Sequence, residues 1–468
     1  MDKKNRPAWA ETLAFIYLGL PVFIFFATFM RAYFAVPACV VLAYAAFTLV
    51  RRTEWNFSQD SLKDIVTLAA TAAIWLWLSG AGGTFGPTTD WLKHYAIENA
   101  LVTADHWPPH LNLGGADEGI MRYSMAWYLV PALCEKIVGF PCSNWCLTLW
   151  SFAGIFLVFR LLITFHESRI KWLAPVIFIL FSGADAIGTL ITGFIPNGTP
   201  FHFEWWAGWV QYSSNTTALF WAPQHAIPAW LFAAVALRQI KSPSILSSLG
   251  VLWCTLILWS PFVAIGCLPL LAVAGFQQIR AALSIQNFAA GLLMAVPLLL
   301  YVDSDAGTVP HGLIFSQPDG LFNGAPDFCV SGYALFIALE FLVPALALIS
   351  IKGEFRLVMV VATTALALIP FYKIGLCNDF PMRASLPLLA VIAMLAPLAL
   401  RNRARMVFWI MLTSICVGVI TPFAEIYRSV TGRNPPIDSR ATFQSTGLGN
   451  PVIVQQYFAK VPPWLVKP

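Results

Sequence analysis

The stretch Met125–Gly139, MAWYLVPALCEKIVG, decides how this chain is threaded. It is apolar, yet short, and it is interrupted by Pro131, Glu135 and Lys136. A helix needs about 20 apolar residues to cross the hydrocarbon core, so the stretch reads as an amphipathic helix in the membrane interface, with Trp127 and Tyr128 at headgroup level. The basic residues agree. With Lys3, Lys4 and Arg6 in the cytoplasm, a stretch that does not cross leaves Arg51, Arg52, Arg169, Lys171, Arg238, Lys241, Arg280, Lys352, Arg356, Arg401, Arg403 and Arg405 on that same side, where Lys and Arg concentrate in membrane proteins. If it crossed, every later loop would flip.

A chain of 468 residues would suggest two or three soluble domains, but 58% of it is hydrophobic and only 11% charged, and its mean hydropathy is +0.71. So few charges cannot cover a soluble surface. The sequence therefore predicts an all-α polytopic membrane protein embedded in a lipid bilayer, with about thirteen transmembrane helices. The net charge of +5 sits at the ends of apolar runs, which is a topology signal and argues against nucleic acid as a partner. The nine cysteines lie mostly in apolar segments and read as small buried hydrophobes, although Cys142, Cys329 and Cys377 fall near expected outer ends. The start, MDKKNRPAWAETLAFIYLGL, has the basic-then-apolar order of a secretory signal without a small-residue cleavage site, and reads as an uncleaved first helix.

Four regions follow. Residues 1–82 hold the first transmembrane helices, and 83–142 form an acidic outer loop with interfacial helices. Residues 143–423 form the main bundle, with outer loops at 194–225, 303–330 and 373–383, and 424–468 form a short outer tail. Polar content is thus stacked on one face, with the amino terminus cytoplasmic and the carboxyl terminus outside. Chemistry is expected there.

Within the acidic loop, Asp90, His94 and Glu98 are spaced i, i+4, i+8, one stripe of a helix with Lys93 on its flank. Such a row is suited to a general base and its orienting partners; a solvated helix face is the plain alternative. A divalent cation, Mg or Mn, held by Asp90, His94 and Asp117 or Glu118 is a third option. Inside the apolar runs, Asp185 and Glu340 are costly in lipid and should face a partner or a cavity. The segment from His202 to Trp230 mixes Trp205, Trp206 and Trp209, which read as an interface belt, with Gln211, Ser213, Asn215, Thr216, Gln224 and His225, a mixture that suits sugar rings. In KIGLCNDFPMRAS, Lys373 and Arg383 bracket Asn378 and Asp379 and offer cations where a lipid phosphate would sit; Arg122 offers another. Snorkelling to headgroups would also account for these cations. GxxxxGK[ST], GxSxG, HExxH and GxGxxG do not occur in a credible context, so nucleotide hydrolysis, serine hydrolysis and zinc proteolysis have no foothold.

The acidic, aromatic outer loop, the interfacial helix after it and the piece AWYLVPALCEKIVG followed by WCLTLWSFAGIFLVFRLL together resemble the GT-C superfamily of glycosyltransferases, which use polyprenyl-phosphate-linked sugars. DWLKHYAIENAL, SGADAIG, QYSSNTTALFWAPQHA and NDFPMRAS resemble motifs of a bacterial GT-C-like membrane protein family. The resemblance covers about two thirds of the chain, from Asp90 to Pro387, and its motifs are weak for the superfamily as a whole. It implies a GT-C-like fold, a polyprenyl-phosphate-linked sugar donor, a glycan or lipid acceptor, and a place in the bacterial inner membrane. It also implies that Asp90 stands where the superfamily has a loop carboxylate that acts as base or helps hold a metal. Here the acidic loop follows a third span, not the first, and the paired carboxylates usual in the superfamily occur only as Asp117-Glu118. Both Asp90 and that pair are candidates.

Overall fold

The helix Pro223–Lys241 runs through the middle of the molecule, with every side chain from Pro223 to Leu237 buried. It packs against Ser143–Leu162, Pro261–Gln277 and Leu386–Leu400. Protein surrounds it on all sides, so it tolerates Gln224, His225 and Gln239, which a lipid-facing helix could carry only at a cost of several kcal/mol for each unsatisfied group (~). The remaining helices stand around it. This is a computed structural model, and it describes residues 6–56, 61–81, 88–112, 118–166, 171–196, 201–432, 440–443, 445 and 456–468.

Among the described residues, eight helices are long and apolar enough to cross a membrane: Trp9–Phe29, Ala32–Arg52, Ser143–Phe165, Leu173–Thr192, Ile285–Asp303, Val330–Ile349, Asp379–Leu400 and Arg405–Thr431. The sequence predicts about thirteen. The other five expected spans also fall on helices, but Leu62–Leu78, Leu246–Trp259, Pro261–Gln277 and Arg356–Phe371 are short, and Pro223–Lys241 is comparatively polar. An apolar run records burial of any kind, against protein as well as lipid. It therefore overcounts full-length spans in a chain with an interior helix. The all-α expectation also needs a small amendment, because two short antiparallel sheets decorate one end of the bundle.

Ala126–Val138 forms a helix of 13 residues, about 20 Å long at 1.5 Å per residue, too short to cross. Its orientation differs from expectation. Trp127 and Tyr128 are fully buried, the indole donating to Ser151 Oγ at 3.0 Å, while Ile137, Val138 and Phe140 are the exposed apolar residues. Aromatic rings with a polar handle are as useful in a core as at an interface when a partner is within reach.

Leu173–Thr192 is broken at Phe181–Ala184. The break frees carbonyls that a membrane interior cannot hydrate. Asn215 Nδ2 donates to the Phe178 carbonyl at 2.8 Å and Thr216 Oγ1 to that of Ile179 at 2.7 Å. Gly418 lets the Arg405–Thr431 helix close on this break, since a Cβ there would lie 2.4 Å from the Ser182 carbonyl oxygen.

The polar connections meet at one end. His110–Asn112, Glu118–Met121 and Phe458–Ala459 form one sheet, so the end of the chain folds back over the acidic loop. His311–Leu313 pairs with Tyr372–Ile374. Other basic residues lie at the opposite end, where Lys171 pairs with Asp64 at 2.8 Å, Arg238 with Glu11 at 3.3 Å and Lys241 with Glu354 at 3.9 Å.

Candidate functional site

Asp90 opens the helix Asp90–Thr103, where the free N–H groups favour a negative side chain. Lys93, one turn on, donates to Asp90 Oδ2 at 2.7 Å. About a third of the Asp90 side chain is exposed, against 11% for Lys93. The expected stripe is a helix face, but it turns inward and is not solvated. His94 and Glu98 are 0% and 2% exposed.

Arg383 reaches this place from a distant part of the chain. The strand Tyr372–Ile374 ends in a turn in which Gly375 (φ 90°) and Asn378 (φ 52°) both take left-handed backbone conformations, and Asn378 Nδ2 fastens the turn to the Trp209 carbonyl at 3.0 Å. Asp379 begins the next helix and accepts from Arg383 Nη2 at 2.9 Å. Gly266 makes the seat, because a Cβ there would meet the Ala384 carbonyl oxygen at 2.0 Å.

The two ion pairs share one electrostatic neighbourhood. Burial pushes the Asp90 carboxyl up, but the charges of Lys93 and Arg383 and the hydrogen bond from Lys93 outweigh it and hold the group below the ordinary carboxylate range. Burial pulls the Lys93 ammonium down, and Asp90, Tyr123 and Tyr457 more than reverse this. His94 is pushed down to about 3, by burial first and by Lys93 second, so it stays neutral. Its Nδ1 lies 2.7 Å from Tyr128 Oη and its Nε2 3.1 Å from the Trp221 carbonyl. A carbonyl can only accept, so Nε2 carries the proton and Nδ1 accepts from the tyrosine. His94 is thus a tie that positions the Asp90 helix.

Gln224 and His225, from the start of the central helix, complete the cluster. Gln224 Nε2 donates to Tyr123 Oη at 3.4 Å. Gln224 Oε1 and His225 Nδ1 are buried with no hydrogen-bond partner among the described residues, and the charges acting on His225 come from Arg383 and Lys93. Orphaned polar atoms of this kind call for a water or a ligand. Tyr123 and Tyr457, tilted against one another with ring centroids 4.9 Å apart, were not anticipated from the sequence. No local pattern marks them, and Tyr457 arrives only because the chain end pairs with Glu118–Met121.

Other expected residues lie elsewhere. Lys373 Nζ is spent on the carbonyls of Gln317 and Asp319 at 2.9 and 3.2 Å. Arg122 Nη1 donates to the Val302 carbonyl at 2.9 Å, and its backbone N–H to that of Tyr457. Gln211 donates to Glu204 Oε2 at 2.6 Å and to Ser213 Oγ at 2.9 Å. Trp206 and Trp209 are buried and form no interface belt; Trp206 Nε1 donates to Glu340 Oε1 at 2.8 Å. Asp185 Oδ2 accepts from Ser182 and Thr421 at 2.7 and 2.9 Å. These groups form a second, fully buried acidic cluster around the broken helix. Asp117 and the Glu118 side chain lie outside the described residues.

No known protein family, curated protein or solved structure matches the chain. The fold defines a polytopic helical membrane protein with its polar chemistry gathered at one end.

Proposed function

We propose that this protein is an inverting GT-C-type membrane glycosyltransferase that moves a sugar from a polyprenyl-phosphate-linked donor to an envelope glycan or lipid acceptor. The reaction would take place on the periplasmic face of a bacterial inner membrane, with the basic end of the bundle in the cytoplasm. One observation carries the reading: an ionised, partly exposed Asp90 lies within the charge range of Arg383, beside buried polar atoms that lack partners.

In this reading the acceptor hydroxyl hydrogen-bonds to Asp90. Its oxygen attacks the anomeric carbon, the bond from that carbon to the phosphate oxygen breaks, and polyprenyl phosphate leaves with the electron pair. A carboxylate held below its ordinary range is a weak base at rest. It takes the proton as the hydroxyl becomes acidic in the transition state. Arg383 and Lys93 meet the growing charge on the departing phosphate in surroundings that screen it poorly. Lys93 takes the part that the sequence offered to Lys373 or Arg122, since it pairs with Asp90 itself while those two bond to backbone carbonyls elsewhere.

The test is Asp90→Asn assayed for transfer from radiolabelled polyprenyl-phosphate sugar, with an expected loss of about 10²- to 10⁴-fold. Turnover at the wild-type rate removes Asp90 as the base. A second reading, a glycolipid transporter, is favoured by the acids beside the broken helix, because discontinuous helices often line transport sites. It requires that Asp185→Asn abolish lipid export while Asp90→Asn leaves it intact.

A further inference from the structure

At the far end of the Asp90–Thr103 helix, beside Glu98, the hairpin between Ala126–Val138 and Ser143–Leu162 brings three cysteines together. Gly139, in the left-handed region at φ 79°, ends the first helix, and Pro141 follows it. Glu135 Oε2 then accepts from the backbone N–H groups of Cys142 and Ser143 at 3.0 and 2.8 Å. This clamp satisfies the start of the second helix and fixes the turn. As a result Cys134, Cys142 and Cys146 converge. Cys146 Sγ lies 3.2 Å from Cys134 Sγ and 4.0 Å from Cys142 Sγ, and all three sulfurs fall within 4.8 Å of one another.

Three sulfurs bound at about 2.3 Å to one tetrahedral or trigonal ion would stand about 3.8 to 4.0 Å apart. The observed triangle needs shifts of less than about an ångström to match that spacing. A disulfide would use two of the sulfurs and give no reason for the third. All three side chains are partly exposed, so an ion has a way in. Thiolates select soft cations over the hard divalent ions that carboxylates hold.

We propose that Cys134, Cys142 and Cys146 form a three-thiolate site for a thiophilic d¹⁰ cation, Zn(II) or Cu(I), at the outer end of the Ser143–Phe165 helix. Binding displaces the thiol protons to solvent and leaves a further coordination position open to water or to an incoming ligand. The site is separate from the Asp90 cluster and stands or falls independently of the proposed transferase activity.

The experiment uses the full chain in detergent, reduced and kept anaerobic, titrated with Co(II) as a spectroscopic stand-in for Zn(II), and separately with Cu(I). The expected result is one ion per chain, with thiolate-to-cobalt charge transfer in the near ultraviolet that Zn(II) displaces. Each single Cys→Ser change at the three positions should weaken binding by about tenfold or more, while Cys416→Ser leaves it unchanged. Zn(II) should also protect Cys134, Cys142 and Cys146 of the unaltered chain from alkylation, a readout that needs no variant to fold. The proposal is overturned if the reduced chain takes up neither ion, if the signal survives in Cys134→Ser/Cys146→Ser, or if metal leaves alkylation of the three thiols unchanged.

Discussion

Asp90 and Arg383, from segments far apart in the chain, come close enough that the guanidinium helps hold the carboxylate ionised. Each also has a partner of its own, Lys93 at 2.7 Å and Asp379 at 2.9 Å. The result is two neighbouring ion pairs, each with one member about a third exposed. Surface pairs of this kind add little to stability. In the proposed transfer their proximity would matter more for what they present to a ligand: two cations for a phosphate and a carboxylate for a hydroxyl.

Arg383→Lys keeps the charge but loses the planar fork, which in the proposed reaction would serve Asp379 and a phosphate at once. Sugar transfer should fall roughly 10²-fold in kcat, with the thermal midpoint in detergent unchanged. An equal fall in both, or no fall in transfer, would mean that Arg383 only secures the turn.

Lys93→Met should move the pH profile. In the wild-type chain Asp90 is held below the ordinary carboxylate range, so the acid limb of kcat/KM is expected below that of an ordinary carboxylate. Burial raises the Asp90 value and Lys93 is the first of the groups opposing it. Without Lys93 the limb should shift toward neutral pH. His94, held at about 3 by burial and Lys93, should add no limb near 6.5. An unmoved profile in the Lys93 variant would rule out Asp90 as the titrating group.

Gly266→Ala tests the seat of Arg383 without touching either ion pair. The added methyl would meet the Ala384 carbonyl oxygen at 2.0 Å, so the helix beginning at Asp379 must back away. A misplacement of about 1 Å can cost about 10²-fold in rate. Transfer should drop by that order while the chain still folds. Full activity would show that the position of Arg383 is not critical.

Much of the bundle was legible because membrane burial writes itself as apolar runs, and the thirteen runs all fall on helices. The count of full spans was not, because an apolar run looks the same whether its neighbour is lipid or protein. Pro223–Lys241 shows the difference: its Gln224 and His225 are affordable only where other helices enclose them. Of the site, Asp90 and Lys93 could be named from local spacing, since residues i and i+3 share a helix face, and Arg383 from its place at the expected outer mouth of a span. What could not be read was which cations would stand within charge range of Asp90. Lys373 looked as available as Arg383 until the Gln317 and Asp319 carbonyls were seen to hold it. Tyr457 depended on a strand pairing between distant segments, which no short-range pattern encodes.

Glu98 gives a prediction about stability. It is 2% exposed, and burial, reinforced by Glu135, pushes its carboxyl up to about 8 against the pull of a hydrogen bond from Ser143. The folded chain therefore keeps a proton on Glu98 that the unfolded chain releases near 4.3 (~). Between those two values the unfolded state binds fewer protons, so stability falls as pH rises, by about 1.4 kcal/mol per unit for this one group. The contribution is fully present below the unfolded value and lost as pH passes the folded one. Glu98→Gln keeps the neutral shape and cannot lose a proton. Thermal midpoints of the wild-type chain in detergent should decline from about pH 5 to about pH 8 and then level off, while those of the Gln variant change less over that interval. Parallel curves for the two chains would show that Glu98 is already ionised in the folded state.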